Sequence, residues 1–356
     1  MNIKDRQICF VLPQFYNHPS GGYKVVFEYA NRFAKDNINV VILFLNDNAL
    51  SRFYIPKKIK EVIMNVRTNL GPKWFSLDKK VKCYSSTQSN LLKKLRHVTD
   101  IIATDATTVK YVVNSFHNAN KFYFIQGFEN WNMDLEELYE TYNCGLKNIV
   151  ISKSLKKIVD EHSSYKAFYI RNGIDIGKYC IHIPVNNRNK YLIGMLYSDS
   201  KVKGSEYVIQ ALKRVKQSYP KLEVIMFGTS KLTTKLPKWF TYVKDATQKE
   251  TIQIYNRINI FVSGSINEGF GLTGLEAMAC GAALVTTDYP AVHEYAINNI
   301  NSIIVPTKDT KMMAHAIIRL IDNSTLHTRL TTNGVKDARS FAWDVSYKKM
   351  KKIILN

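Results

Sequence analysis

The sequence predicts an α/β protein made of two doubly wound halves facing a cleft. Three observations lead there: short, continuous apolar runs, helical-period segments between them, and a restart of that alternation after an irregular polar stretch near the middle.

The first half opens with the run 8–12 (ICFVL), which has the pattern of a strand buried on both faces. A polar loop ending in Ser20, Gly21 and Gly22 follows. Val26, Ala30 and Phe33 then recur at helical spacing, and 40–44 (VVILF) forms the next strand. Residues 50–100 receive no assignment. Strand-like runs return at 101–103, 122–125 and 149–151, and Ser152 is positioned to cap a helix carrying Leu155, Ile158 and Val159. The segment 172–175 (NGID) is a turn signal, and the polar stretch to Lys190 marks the domain boundary. Strands are then expected at 191–196, 222–227, 258–262, 284–287 and 302–305. A helix carrying Val208, Leu212 and Val215 follows the first of these, and another closes the chain at 343–355. The expected domains are 1–175 and 176–340, with 341–356 as a terminal helix. Crossover connections make both sheets parallel, and ligands belong at the carboxyl ends of the strands.

Composition narrows the class. The chain has 356 residues, 46% hydrophobic, 22% charged and 12% aromatic, enough for two buried cores and unlike a disordered segment. Cys9, Cys83, Cys144, Cys180 and Cys280 are odd in number and widely separated, which argues against disulfide scaffolds and zinc ribbons and for a reducing cytosol. The eight histidines form no pair at metal-ligand spacing. The start of the chain, 1–6 followed by the short run 8–12, does not read as a signal sequence. No stretch approaches the roughly 20 apolar residues of a membrane span. The expected location is cytoplasmic, with any membrane contact made peripherally on the inner face.

Fifty Lys and Arg against 29 Asp and Glu leave a net charge of +21. Basic residues interleave with aromatics at 52–58 (RFYIPKK) and 73–75 (KWF). Such patches suit an anionic lipid surface or nucleic-acid phosphates, and a Lys- and Asn-rich solvated surface accounts for them as well. The absence of a nucleic-acid module favours no nucleic-acid partner.

The most informative stretch is 263–281, where a strand runs into SGSINEGFG and then LTGLEAMACG. The helix is expected to begin near Leu272 and to end at Gly281. Free N–H groups at its start, with the helix dipole, form an anion site, and Gly269 and Gly271 allow close backbone approach. Glu268 and Glu276 flank it; a carboxylate accepts hydrogen bonds from both hydroxyls of a ribose. A phosphorylated, sugar-bearing ligand follows from that chemistry.

Glu268 and Glu276, seven residues apart within EGFGLTGLEAMACG, resemble the signature of retaining GT-B glycosyltransferases of family four, the group 1 glycosyl transferases. Thr287, Asp288 and Glu294 continue the likeness. The NGID turn resembles the lead into that family's linker, and Phe341, Ala342 and Trp343 resemble its last helix, which returns to the first domain. The likeness is strong in the second half and thin between about 50 and 145. It implies a GT-B fold of two Rossmann-like domains, the first for acceptor and the second for donor. It also implies transfer of a sugar from a nucleotide-diphosphate sugar to a glycan or lipid-linked glycan, with retention of configuration and a role in cell-surface polysaccharide synthesis.

Position by position, the resemblance places Glu276 on the donor ribose and Glu268 beside the transferred sugar. It places the amides of Gly269, Phe270, Gly271 and Leu272 on sugar hydroxyls or phosphate. Lys203, before Gly204, falls where the family keeps a lysine on the diphosphate, with Lys201 near it. Gly21 and Gly22 resemble the glycine loop of the first domain. Gln126 stands where many members have a histidine near the sugar, and Asp105 is a second candidate there, or a helix cap. Gly194 matches the glycine ending the strand before the lysine, but Met195 replaces the arginine that usually follows. With no Asp-x-Asp, no metal and no other cofactor is expected. The departures at Met195 and Gln126 leave two rivals: a non-catalytic subunit that stabilises a partner transferase, and a nucleotide-sugar epimerase on the same architecture.

Overall fold

The apolar runs become the central strands of two parallel sheets. The computed structural model describes residues 6–51, 54–88, 91–130, 133–233 and 235–356. Residues 1–5, and Arg52 and Phe53 of the first basic-aromatic stretch, lie outside the described residues. The chain divides into two compact units, one running to Ile170 and taking back Tyr347–Asn356, the other Arg171–Ser346.

The first unit contains β1 (Gln7–Leu12), β2 (Asn39–Phe44), β3 (Val81–Ser85), β4 (Asp100–Ala103), β5 (Asn120–Ile125), β6 (Lys147–Val150) and β7 (Phe168–Tyr169). They form a parallel sheet ordered β3-β2-β1-β4-β5-β6-β7. Its helices are α1 (Gly21–Lys35), α2 (Lys57–Leu70), α3 (Leu91–Lys94), α4 (Ala106–Asn114), α5 (Leu135–Thr141) and α6 (Lys153–His162). Ile8, Phe10, Ile42, Ile102, Phe122 and Phe124 are fully buried, as continuous apolar strands in a doubly covered sheet require. Ser152 caps α6 by accepting from the Leu155 N–H. The unassigned stretch 50–100 supplies α2, β3 and α3. There α2 carries Ile59, Val62, Val66 and Leu70 at helical spacing on its exposed side, and β3 is an edge strand of mixed burial.

The second unit contains β8 (Leu192–Leu196), α7 (Ser205–Ser218), β9 (Glu223–Gly228), β10 (Phe240–Lys244), α8 (Gln248–Arg257), β11 (Ile260–Ser263), α9 (Leu272–Ala279), β12 (Ala283–Thr287), β13 (Ser302–Val305), α10 (Thr310–Asp322) and α11 (Ser324–Arg339). Its parallel sheet runs β10-β9-β8-β11-β12-β13. In each unit the order reverses beside the first strand, between β1 and β4 and between β8 and β11. That reversal splays the following loops apart and opens a crevice at the carboxyl ends.

The last helix, α12 (Trp343–Leu355), is divided between the units. Residues 341–346 group with the second unit, so the boundary falls later there than 341 and earlier than 175 at the first crossing. The reason is a local clasp between the two weak motifs. The Ile174 N–H donates to the Phe341 carbonyl at 2.8 Å, Ile174 bridges Ala342, and the Arg171 guanidinium lies 4.0 Å over the Phe341 ring. From Tyr347 the helix packs on the first unit. Tyr347 Oη and Lys351 Nζ both donate to Asp36 Oδ2, at 2.7 and 2.5 Å. Arg6 bonds Asp100 and satisfies the carbonyls of Ile354 and Leu355, a cation closing a helix C-terminus.

Gly173 is what lets the clasp close: a methyl at this position would sit 2.7 Å from the Trp343 Cα. Gly173→Ala is expected to destabilise the protein by about 1–3 kcal/mol, as overpacking against backbone does. Chemical denaturation measures it; an unchanged midpoint would mean that the clasp is not a tight contact.

Candidate donor site

The site in the second unit is built from the two loops flanking the β8/β11 reversal. The loop after β8 ends in a short 3-10 turn, Lys201–Lys203, and Gly204 at φ +59 then starts α7. The loop after β11 runs to Gly271, at φ +88, which starts α9. A side chain at a left-handed cap is strained, and neither glycine has room for one. A methyl on Gly204 would strike the Gly264 carbonyl, and one on Gly271 would strike the Tyr289 hydroxyl. The loops are tied where they meet, with the Ile266 N–H donating to the Val202 carbonyl at 2.8 Å.

Glycine capping has a chemical consequence. Elsewhere in this unit Thr247, Asp309 and Asn323 cap α8, α10 and α11 with side-chain oxygens. At α7 and α9 no side chain accepts from the first N–H groups. Two helix starts therefore offer donors and positive dipole ends on either side of the crevice.

Lys203 and Glu268, expected on separate grounds, prove to be partners. Lys203 Nζ lies 3.2 Å from Glu268 Oε2, with the lysine a third exposed and the glutamate mostly buried. Ser265 Oγ donates to Glu268 Oε1, and Thr287 Oγ1 donates to the Ser265 carbonyl. Thr287, from the flanking motif, thus holds the loop that holds Glu268. Glu276 is only 5% exposed and accepts from the Tyr255 hydroxyl at 3.4 Å. Burial, reinforced by the Glu276 charge, pushes the Tyr255 phenol well above its ordinary pKa, so it stays protonated and donates. Phe270 is buried between Tyr295 and Phe341. The Tyr295 hydroxyl donates to the Gly271 carbonyl at 2.9 Å and meets Tyr289 Oη at 2.9 Å. Burial raises both phenols. Phe270 and this tyrosine pair were not legible as a unit in the sequence, because they come from two segments some twenty residues apart. Gly269 and Leu272 remain partly exposed at the turn, and Lys201 is exposed.

One expectation is corrected, and the departure at Met195 is explained. Gly194 lies inside β8, paired with Ile225 and Phe261, and its missing side chain makes room for Ile258 rather than a ligand. Met195 is fully buried in the apolar core with Val208, Leu212 and Val262. A guanidinium on that face would be buried in hydrocarbon, so this strand cannot present one to the crevice.

The candidates of the first unit also gather at its reversal. Gly21 and Gly22 open α1, where Ser20 makes no side-chain cap bond. Gly22 lies against Gln126, whose Nε2 would be 3.4 Å from a methyl at Gly22. Asp105 caps α4: it accepts from the Thr107 N–H at 2.9 Å and from the Thr107 hydroxyl. That is its capping reading, and it leaves the carboxylate engaged within its own helix turn. Trp74 and Phe75, read as part of a surface patch, pack on Phe27 of α1. Only Lys73 of that trio remains a surface group.

Glu129 is a buried acid that the sequence reading passed over. It accepts from the Ala106 N–H at 2.6 Å and from Tyr123 Oη at 2.8 Å. Burial, then the nearby Asp105 charge, pushes its pKa up from 4.5 to about 8. The only sequence signal was its place three residues after Gln126.

Against this geometry, residues 182–337 match the family model for glycosyl transferases group 1. Over that span the second unit is similar to the group 1 glycosyl transferases. An uncharacterized glycosyltransferase of Methanocaldococcus jannaschii is 25% identical over 215 residues, 58% of either chain. The capsular polysaccharide biosynthesis glycosyltransferase CapM of Staphylococcus aureus is 24% identical over 237 residues, 60% of this chain and 61% of that protein. The aligned part thus spans about three fifths of each relative's length. Among solved structures, sucrose-phosphate synthase from Thermosynechococcus elongatus superposes with a TM-score of 0.74 at 14% identity, covering 98% of both chains. HepE of Anabaena, in complex with UDP and glucose, has a TM-score of 0.74 at 16% identity over 98% of this chain and 99% of its own. At such identities the likeness is one of fold, and that fold is GT-B, as the resemblance implied. The second unit carries all the donor-side candidates, and the first unit carries Gly21, Gly22, Asp105 and Gln126.

A folded-state pKa near 8 for Glu129, against an unfolded value near 4.5, sets a sign. The folded form binds more protons between these values, so stability is full below about 4.5 and is lost as pH rises through about 8. Glu129→Gln should flatten that dependence in denaturation measured from pH 5 to 9. A Glu129 carboxyl titrating near 4.5 by NMR would show it to be solvated.

Proposed function

We propose that the protein transfers a glycosyl group from a nucleoside-diphosphate sugar to a glycan or lipid-linked glycan, with retention at the anomeric carbon. The observation that carries this reading is the pair of glycine-capped helix starts facing one strand reversal, with Lys203 and Glu268 between them. A diphosphate is the ligand such donors suit, and HepE, of the same fold, is described in complex with UDP-glucose. CapM, named for capsular polysaccharide biosynthesis, and a Campylobacter jejuni transferase named for an undecaprenol-linked acceptor support a cell-surface glycan product.

The chemistry follows from where charge develops. As the anomeric C–O bond lengthens, the sugar gains oxocarbenium character and negative charge collects on the departing diphosphate. Lys203 and the bare N–H groups of α7 and α9 stabilise that charge, the work a divalent cation does in other transferases. Glu268 stays beside the sugar, where Ser265 holds it once Lys203 turns to phosphate. Glu276, with Tyr255 behind it, accepts from the ribose hydroxyls. The acceptor hydroxyl attacks from the face that the leaving group vacates, and its proton passes to the leaving phosphate oxygen, so no covalent sugar–enzyme bond is needed. Acceptor binding falls to the first unit, at Gly22 and Gln126. The reaction is placed in the cytoplasm, where activated sugars are made, and at the inner membrane surface when the acceptor is lipid-linked.

A second reading has one observation in its favour. Buried Met195 leaves the second unit without the family's usual arginine, as in a subunit that binds donor or partner without turnover. Transfer or donor hydrolysis by the isolated chain separates the two.

Thermal shift with UDP-, dTDP- and GDP-sugars should show a rise in Tm with one base class, since a ligand of the native state stabilises it. Silence from all three would remove the donor site. Lys203→Ala is expected to lower kcat by about 10²–10³-fold, the cost of losing one transition-state charge partner. Glu276→Ala should raise the donor KM by roughly ten- to a hundredfold, as loss of charge-assisted hydrogen bonds does.

A further inference from the structure

Helix α2 is amphipathic in the wrong sense for a globular surface. The residues it buries are Met64 and Thr68, and its ties to the body are polar: Asn46 Nδ2 donates to Thr68 Oγ1 at 3.1 Å and Thr87 Oγ1 to Asn65 Oδ1 at 2.8 Å. Ile59, Val62, Val66 and Leu70 are all at least half exposed. Their spacing of three, four and four residues stacks them in one stripe along the outer face. The helix has 14 residues and so is about 21 Å long. Exposed apolar side chains scattered singly are ordinary on a protein surface; a continuous stripe the length of a helix marks something that covers it.

The charges beside the stripe identify the occupant. Lys58, near the start of the helix, and Arg67, in its last turn, lie to either side of the stripe; Glu61 is the helix's only acid and sits toward the buried side. Just before α2, Tyr54 is fully exposed, with an apolar ring and a polar tip suited to a headgroup layer. An apolar stripe bordered by cations is the pattern of a helix lying in the plane of an anionic bilayer. No helix among the described residues is long and apolar enough to cross a membrane, so contact through α2 is interfacial.

We infer that α2 docks the protein on an anionic membrane surface, with Ile59, Val62, Val66 and Leu70 entering the acyl boundary and Lys58 and Arg67 at the phosphates. The purpose of this contact rests on the lipid-linked-acceptor reading; the contact itself does not.

The test is co-sedimentation of the full chain with vesicles of phosphatidylcholine containing phosphatidylglycerol, and with phosphatidylcholine alone. Binding to the anionic vesicles is expected, weakening with salt and falling roughly fivefold for each of Lys58→Gln and Arg67→Gln. Val62→Glu with Val66→Glu, both on exposed positions, should lower binding about tenfold or more at unchanged Tm. A tryptophan in place of Val62 should be quenched by brominated lipid. No binding to anionic vesicles, binding indifferent to the Val62/Val66 change, or a dimer that this change dissociates would each overturn the proposal, the last assigning the stripe to a second copy. Stabilisation by nucleotide-sugars, measured on the same variants, should be untouched. Its loss in the unmodified protein would strike the transferase reading instead, so the two failures are distinct.

Discussion

The structure of the second unit depends on two turns that only glycine can make. At Gly204 and Gly271 the backbone enters a helix through a left-handed residue, and neighbouring atoms occupy the space where a side chain would go. The two α-helices that they start carry no capping oxygen from a side chain. Their first N–H groups receive no cap from a side chain. Unsatisfied donors are unfavourable in a folded chain, and the sheet reversal collects two such starts in one place. The arrangement makes sense as anion recognition, where a ligand supplies the missing acceptors.

The ion pair between Lys203 and Glu268 belongs to the same logic. A lysine just before a helix start sits near the positive end of the helix dipole, and Glu268 supplies a counter-charge from the neighbouring loop. Ser265 and Thr287 in turn fix the loop that carries Glu268, which makes the acid's position a property of three strands rather than of one side chain. Phe270, Tyr289 and Tyr295 pack behind the turn and lock Gly271 from the rear. The turn is therefore braced from behind, while the two members of the ion pair sit on separate loops.

The first unit is organised differently. Its reversal holds a buried acid, Glu129, which stitches the start of α4 to β5, while Asp105 is committed to capping α4. Its α2 buries only Met64 and Thr68 and carries its apolar stripe outward. An apolar stripe signals a helix but says nothing about which side faces the core.

The sequence by itself determined the repeating strand–helix alternation, the parallel sheets, the start of α9 at Leu272, its end at Gly281 and the span of α12. These rest on short-range physics: apolar runs buried on two faces, helical spacing and the backbone freedom of glycine. It also placed Glu268, Glu276 and Lys203 in one unit through the motif around position 270. Tertiary structure alone decided who touches whom. It joined Lys203 to Glu268, turned Met195 and Gly194 into core and strand, folded Trp74 and Phe75 inward and clasped 173–174 to 341–343. Each of these outcomes depends on strand order and on which face of an element meets a neighbour. Residues 60 or 170 positions apart in the chain carry no local mark of that meeting.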